Sequence, residues 1–158
     1  MLGGSSIRDG ERTEPKEFTR SELRFAAYAG LFDGEGCIGM YRNSKSPGAI
    51  RRYTITLRVA MTRRETLERM NAHFGTGTLR TYGHGPRQQP YWIWFCGAKS
   101  EVVRILKQLL PHLDLKAHEA KLALDYLEND ALTAQQQDRI FDAMRRAKIR
   151  KGRRRRIS

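Results

Sequence analysis

The stretch from Ala29 to Gly36 reads Ala-Gly-Leu-Phe-Asp-Gly-Glu-Gly and constrains the fold of this chain more than any other segment. Small residues on one face of a helix let its backbone approach a second helix closely. Two carboxylates follow at the end of this helix, where Gly34 and Gly36 are expected to break it. The pattern therefore predicts a closely packed helix that delivers an acidic side chain to a fixed point at its end.

Patterns of apolar and turn-forming residues predict the elements around this stretch. Thr19 and Glu22 form a capping-box pattern that opens the first helix. Residues 53–59 alternate between apolar and polar side chains, which is typical of a half-buried strand with an open polar face. The remaining predicted elements are strands over 37–43, 76–82 and 91–96, a turn over 44–48, and helices over 64–74, 100–110, 116–128 and 133–146.

The order of these elements predicts an α+β fold. Helices separated by pairs of strands favour a single curved antiparallel sheet that is covered by helices on one face, with extra helices at the C-terminus. At 158 residues the chain is long enough for one domain with tails. We predict a flexible arm over 1–18, a core over 19–128, a helical extension over 129–147 and a basic tail over 148–158.

The charge of the chain favours a polyanionic partner. It contains 30 Lys and Arg against 17 Asp and Glu, a net charge of +13, and neutralising phosphates releases counterions. Residues 145–156 hold nine basic side chains and no acid, and removing these nine leaves +4 on the rest. The alternative reading of this tail is a solvated end that only raises solubility.

Composition also excludes several classes of protein. The two cysteines form no C-x-x-C pair, which argues against a structural zinc site and for a reducing compartment. No apolar run approaches about 18 residues, which argues against a membrane span, and residues 1–18 resemble no signal peptide. We therefore expect an intracellular protein of the cytoplasm or nucleoid, or of an organelle.

Residues 28–36 (Tyr-Ala-Gly-Leu-Phe-Asp-Gly-Glu-Gly) resemble the LAGLIDADG signature of homing endonucleases. The predicted element order extends the resemblance to residues 21–128. Residues 74–77 (Phe-Gly-Thr-Gly) resemble the family's helix-to-strand turn, and 113–116 (Leu-Asp-Leu-Lys) resemble its Leu-x-Leu-Lys segment. The resemblance implies an αββαββα core with a saddle-shaped four-stranded sheet. It also implies a homodimeric, metal-dependent, site-specific double-strand DNA endonuclease that leaves 3′ overhangs.

The resemblance also implies roles for residues at the centre of the site. Glu35 and the Gly34 carbonyl would hold Mg²⁺, or another divalent cation such as Mn²⁺, and Lys116 would lie near the scissile phosphate. Two positions depart from the family pattern, since Glu35 replaces Asp and Met61 stands where many relatives carry Gln. We therefore include Arg63 among the catalytic candidates, although Lys116 and Arg63 could also be ordinary surface residues beside a helix start.

One motif supplies half of an active unit, so a second copy of the chain is expected. The predicted dimer interface comprises Ala26, Ala29, Gly30 and Asp33, with Asp33 expected to cap the partner's helix. The residues predicted to contact DNA follow the polar faces of the strands: Cys37, Gly39, Tyr41, Asn43, Arg52, Thr54, Thr56, Arg58, Arg80, Tyr82, Trp92 and Trp94. For the two tryptophans, packing under the helices is an equal alternative.

The expected partners are double-stranded DNA with a long, near-palindromic target site and a second copy of this chain. Three other functions remain open at this point. They are a DNA-binding regulator that has lost cleavage, an RNA-binding splicing cofactor (maturase) that acts on intron RNA, and a basic interaction domain. The last of these leaves the Asp-Gly-Glu-Gly motif unexplained.

Overall fold

The structure, a computed structural model, describes residues 17–43, 50–83, 85 and 89–154. The predicted turn over 44–48 and most of the predicted N-terminal arm lie outside these residues. The elements are α1 (Arg20–Glu35), β1 (Gly36–Arg42), β2 (Tyr53–Met61), α2 (Arg64–Phe74), β3 (Thr78–Tyr82), β4 (Tyr91–Cys96), α3 (Lys99–Leu109), α4 (Ala117–Glu128) and α5 (Ala134–Arg154), with a 3-10 turn at Leu110–His112. The predicted α+β class and element order are confirmed.

The four strands form one antiparallel sheet in the order β1-β2-β4-β3. Alternate residues of each strand point to opposite sides. On one side, apolar residues pack under the helices. None of the helices α1 to α4 packs on the other side, which we call the open face. The open face comprises Cys37, Gly39, Tyr41, Thr54, Thr56, Arg58, Ala60, Thr78, Arg80, Tyr82, Tyr91, Ile93 and Phe95.

The core lies between the covered side of the sheet and helices α1 to α4. Leu57 and Trp94 of the sheet and Phe32 of α1 are fully buried, as is Ile105 of α3. Burying a large apolar side chain contributes on the order of 1.5–3 kcal/mol. The sheet is therefore anchored on its covered side, while its open face stays available.

Helix α1 begins and ends through identifiable contacts. The Thr19 hydroxyl accepts from the Glu22 amide at 3.2 Å, and the Glu22 carboxylate accepts from the Thr19 amide at 2.8 Å, so the predicted capping box is confirmed. The expected break at Gly34 is wrong, because the helix continues through Glu35. It ends at Gly36, where an added Cβ would lie 2.5 Å from the Phe32 ring.

Helix α5 is longer than the predicted helix over 133–146, since it runs to Arg154. Its first half is joined to the start of β2. The Tyr53 phenol donates to Asp138 at 2.6 Å, and the Tyr53 ring stacks on Phe141 with centroids 4.5 Å apart. Burial, and then the hydrogen bond to Asp138, raise the pKa of Tyr53. These contacts place the second half of α5 beside the start of β1.

None of the described helices is both long and apolar enough to cross a membrane. The division of the chain into arm, core, extension and tail remains a prediction.

Candidate active site and nucleic-acid interface

Glu35 is the last residue of α1, and Gly34 precedes it in the same final turn. Both residues are exposed. The helix turns directly into β1, so the Glu35 carboxylate lies at the corner where α1 meets the edge strand of the sheet. No ion pair or hydrogen bond joins this carboxylate to another described residue of the chain.

Asp33 has a different role from Glu35. One of its carboxylate oxygens accepts from the Asp114 amide at 2.8 Å, and the other accepts from the Lys116 amide at 2.9 Å. Asp33 thus caps the N-terminus of α4 in its own chain. The structure thus gives Asp33 a capping role within its own chain, and the predicted contact of Asp33 with a partner's helix remains a prediction.

Lys116 is held beside the end of α1 by the same link. Its ammonium donates to the Asp33 carbonyl at 2.5 Å. Lys116 lines a pocket together with Gly36, the residue that follows Glu35. Lys116 therefore lies beside the last turn of α1, through contacts that the sequence pattern did not indicate. Its place near the scissile phosphate remains a prediction.

Two further charged residues line this pocket and were missed by the sequence analysis. Glu119 lies one turn after Lys116 on α4 and is 4% exposed. Lys148 comes from α5, and its ammonium lies 3.8 Å from the Cys37 sulfur. The spacing of Lys116 and Glu119 on one helix face could have indicated the first, whereas Lys148 arrives only through the docking of α5.

The donor set at this corner fits a divalent cation in part. A carboxylate from Glu35 and a carbonyl from Gly34 are hard oxygen ligands of the kind that magnesium prefers. Among the described residues, no three His, Cys, Asp or Glu side chains are grouped as a metal site. One chain therefore offers a partial set that needs ligands from outside the chain.

Met61, at the position where many relatives carry Gln, and the two arginines Arg63 and Arg64 that follow it lie in different surroundings. Met61 lies on the covered side of the sheet, opposite Trp92, and packs against the core. Arg63 is exposed at the N-cap of α2. Arg64 pairs with Glu68 at 2.6 Å and lies over the Trp92 ring at 4.5 Å. Arg63 is thus the arginine of this pair without a described ion-pair partner, and its catalytic role remains a prediction.

The first two strands present most of the predicted DNA-contacting residues on the open face. Cys37 pairs with Arg58, Gly39 with Thr56, and Tyr41 with Thr54. Asn43 follows just beyond β1 and is exposed. Thr56 lies on the predicted face but is 7% exposed, and its hydroxyl has no hydrogen-bond partner among the described residues. In the free chain Thr56 is therefore covered by its neighbours, against expectation.

Arg52 does not join this face. Its guanidinium pairs with Asp138 of α5 at 3.3 Å, and its backbone amide donates to Gln137 at 2.9 Å. The prediction that Arg52 shares the DNA-contacting face is wrong, because residues of α5 bind both its guanidinium and its backbone amide.

The second hairpin corrects the assignment of the tryptophans. Trp94 is fully buried under the helices and donates to Asn71 of α2 at 3.0 Å. Trp92 lies on the same side of β4, beneath Arg64. The prediction that these tryptophans contact DNA is wrong, since the register of β4 turns Tyr91, Ile93 and Phe95 to the open face instead.

Arg80 and Tyr82 lie on the open face as predicted. The Arg80 guanidinium lies 5.9 Å from the centre of the Phe95 ring, and Tyr82 stacks on Tyr91 with centroids 5.8 Å apart. This half of the face therefore combines one arginine with three aromatic rings, a combination suited to base edges and phosphates.

The exposed side of α1 matches the predicted interface in part. Ala26 and Gly30 are exposed, and an added Cβ at Gly30 or Gly34 would meet nothing within 4 Å. The fold of the single chain therefore does not require glycine at these positions. Ala29 is fully buried in the core of its own chain, so the prediction that it lies at a dimer interface is wrong.

Comparison with known proteins places this geometry among DNA endonucleases. No protein-family model matches the chain. The DNA endonuclease I-CvuI of Chlorella vulgaris is 29% identical over 119 residues, covering 73% of this chain and 70% of that protein. A crystal structure of the homing endonuclease I-CvuI with the I-CreI target and Mg, in which the DNA is not cleaved, aligns at a TM-score of 0.59 and 28% identity, over 68% of each chain.

Two more distant structures show the same fold. The archaeal intron-encoded homing endonuclease I-Vdi141I complexed with DNA has a TM-score of 0.63 at 14% identity, with 82% of this chain and 84% of that chain covered. The LAGLIDADG meganuclease I-AabMI bound to uncleaved DNA has a TM-score of 0.57 at 16% identity, with 76% of this chain and 43% of that chain covered.

Proposed function

Because this chain belongs to the LAGLIDADG family of homing endonucleases, we propose that it is a divalent-metal-dependent, site-specific double-strand DNA endonuclease. The observation that carries the proposal is that the Lys116 ammonium binds the last turn of α1, the turn that ends in the exposed Glu35 at the start of the edge strand β1. Asp33 binds the start of α4 and thereby brings an exposed acid and a lysine to one place. A phosphodiester laid along the open face would reach this corner.

The residues at this corner have separable roles. Glu35 and the Gly34 carbonyl would hold Mg²⁺ or Mn²⁺, and the resemblance of I-CvuI, whose structures include Mg or Ca, supports a divalent cation. Such a cation, when bound, neutralises charge at the phosphate and lowers the pKa of water. Lys116 would stabilise the negative charge that develops on the phosphate oxygens. Arg63 would contact the same strand from the start of α2.

We also propose that the active unit is a homodimer formed through the exposed face of α1. Ala26, Gly30 and Gly34 lie along this face, with Leu23, which is 57% exposed. Glycine in a helix interior costs about 0.5–1 kcal/mol relative to alanine. Within the single chain, glycine at positions 30 and 34 allows no closer packing, because an added Cβ there would meet nothing within 4 Å. Close approach of a second copy of the chain would explain why these two positions are glycine. Two chains would also supply two Glu35 carboxylates.

The target would then be long and near-palindromic, because a two-fold dimer presents the same open face twice. Arg58, Arg80 and Tyr82 are the polar residues of that face best placed to read base edges. Basic side chains of α5, including Arg145 and Arg146, would contact phosphates and so add affinity that depends on salt. Cleavage of both strands near the centre, with 3′ overhangs, is the expected product.

Selection of cleaved sequences from a randomised duplex library tests the proposal. We expect the wild-type chain to enrich a near-palindromic site with Mg²⁺ and to enrich nothing with a chelator. Glu35→Gln protein should still bind the enriched site but should cleave it at least about 100-fold more slowly.

The outcomes separate the proposal from its rivals. Sequence-selective binding without nicking in any divalent metal would point to a regulator that has lost cleavage. Tighter binding of structured intron RNA than of any duplex would point to a maturase. An asymmetric cleaved site would overturn the homodimer while leaving the endonuclease in place.

A further inference from the structure

Tyr41 and Arg58 form a joined pair on the open face. The Arg58 Nη2 donates to the Tyr41 hydroxyl at 2.5 Å, and the guanidinium carbon lies 5.6 Å from the centre of the Tyr41 ring. The hydrogen bond and the cation–π contact together hold the guanidinium against the Tyr41 side chain. Tyr41 is 44% exposed, so the pair lies at the surface that faces a ligand.

The register of the strands makes this contact unusual. Tyr41 lies opposite Thr54, whereas Arg58 lies opposite Cys37. The two residues are thus offset by four positions, about 13 Å along the strands. Side chains ordinarily meet at offsets of zero or two. Tyr41 and Arg58 therefore touch only because both lean over the row of the sheet between them.

That row consists of Gly39 and Thr56, and its shape admits the pair. A Cβ at Gly39 would lie 2.4 Å from the Tyr41 ring and 2.9 Å from the Thr56 hydroxyl. Any side chain at Gly39 would lift the ring from the sheet and separate it from Arg58. The same arrangement covers Thr56, which explains the burial of its hydroxyl on a face that is otherwise open.

Holding an arginine in one geometry changes what it can recognise. A free arginine side chain loses on the order of 2 kcal/mol of conformational entropy when it is fixed by a ligand. A guanidinium that is already fixed loses less and discriminates more sharply between orientations of its partner. Arg58 has five N–H donors and uses one of them to bind Tyr41, so the other coplanar donors can bind a ligand.

We infer that Tyr41 is a positioning residue that orients Arg58 to read a guanine in each half of the target, and that Gly39 is required for this arrangement. The inference rests on the proposed function, because it assumes that DNA lies on the open face. Guanine is the base whose O6 and N7 acceptors match two parallel N–H donors. Arg58 lies within the sheet and not at its rim, which favours a base edge over a phosphate.

The test compares base preferences of variants at every position of the site that the wild-type chain selects. Arg58→Ala should identify one guanine position in each half-site by abolishing its preference, on the order of 10-fold or more. Tyr41→Ala should weaken the preference at that same position while Arg58 is still present. Tyr41→Phe, which keeps the ring and loses the hydroxyl, should retain part of it.

Gly39→Ala tests the inference independently of any change to Tyr41 or Arg58. It should reproduce the loss seen in Tyr41→Ala, and the double variant Gly39→Ala/Tyr41→Ala should lose no more than either single variant, because both act through the same contact. Tyr82→Ala is the matched control, since Tyr82 is a similarly exposed tyrosine on the same face that contacts Tyr91. It should leave the Arg58 position unchanged.

A readout without DNA completes the test. In the free protein the Nε–H resonance of Arg58 should be shifted by the Tyr41 ring, and this shift should disappear in both Tyr41→Ala and Gly39→Ala. An unchanged guanine preference in Tyr41→Ala, or an altered preference at a different position, would overturn the inference and leave the proposed function standing. A wild-type chain without any sequence preference would instead overturn the proposed function.

Discussion

Lys116 donates two hydrogen bonds to Asp33: its backbone amide donates to the Asp33 carboxylate at 2.9 Å, and its ammonium donates to the Asp33 backbone carbonyl at 2.5 Å. The carboxylate also accepts from the Asp114 amide at 2.8 Å. The end of α1 and the start of α4 are therefore joined by three hydrogen bonds. This link determines where Lys116 lies relative to Glu35.

Replacing Asp33 by alanine should weaken both the fold and the activity. Loss of a carboxylate cap at a helix N-terminus costs about 0.5–2 kcal/mol, and Lys116 would no longer be held beside Glu35. Urea unfolding should detect the first effect and DNA cleavage the second. Asp33→Asn keeps one oxygen acceptor, so it should recover part of the stability. Equal stability of Asp33→Ala and wild type would argue against the cap.

Lys116→Met should separate catalysis from stability. Methionine keeps most of the side-chain volume and removes the ammonium, so the free energy of unfolding should change by less than about 1 kcal/mol. Cleavage should fall by roughly 100-fold or more, since a donor aimed at developing charge is lost. Lys121→Met is a suitable control, because Lys121 is an exposed lysine on the same helix. If both variants cleaved alike, Lys116 would have no special role.

Gly30→Leu should prevent association while leaving the single chain folded. An added side chain at Gly30 meets no atom within 4 Å in the chain itself, and leucine favours helix over glycine by several tenths of a kcal/mol or more. Circular dichroism should thus be unchanged, whereas sedimentation should show a monomer in place of a dimer. Lys121→Leu adds an exposed leucine elsewhere and should remain dimeric. A dimeric Gly30→Leu protein would place the interface on another surface.

His73 should make the chain less stable in mild acid. Its ring lies 4.9–5.1 Å from the rings of Phe25, Tyr28 and Phe74. Burial, and then the charge of Arg24, hold the pKa of His73 below its ordinary value of 6.5. As pH falls through about 6.5, the unfolded chain binds a proton that the folded chain does not. The free energy of unfolding therefore decreases, by at most about 1.4 kcal/mol per pH unit for this one group.

His73→Phe keeps the aromatic contacts and removes the titration. Its stability should consequently depend less on pH than that of wild type between neutral pH and the lower pKa of His73. Urea unfolding at several pH values measures both slopes. Identical slopes would show that His73 takes up its proton equally in the two states.

Thr56→Val should stabilise the free chain. The Thr56 hydroxyl is buried without a hydrogen-bond partner among the described residues, and an unpaired buried polar group costs about 1–3 kcal/mol. A gain of roughly 1 kcal/mol in unfolding free energy is expected. Thr54→Val on the same strand is the control, because Thr54 is exposed and should change stability by less than about 0.5 kcal/mol. A loss of stability in Thr56→Val would mean that the hydroxyl is paired.

Local signals predicted much of the fold correctly. The capping box at Thr19 was confirmed because its two hydrogen bonds are made within one turn of a helix. The alternation over β2 likewise predicted that Tyr53, Ile55, Leu57 and Val59 are buried, since one side of that strand is apolar throughout; the burial of Thr56 on the other side it did not predict. Residues 91–96 carry aromatic or apolar side chains on both sides, so alternation could not decide which side of β4 is buried. The pairing of Val59 with Trp94 decides it.

By itself, the sequence determined the element order, the position of the acidic turn and the lysine segment, because these depend on residues that are near one another in the chain. The tertiary structure decided that Asp33 caps α4 of its own chain, while Glu35 remains exposed. It also showed that Arg52 and the two tryptophans do not lie on the predicted DNA-contacting face, and that Ala29 does not lie on the predicted dimer interface. The physical reason is that a side chain's role depends on which distant partner satisfies it, and Asp33 meets its partners 81 and 83 residues further along the chain.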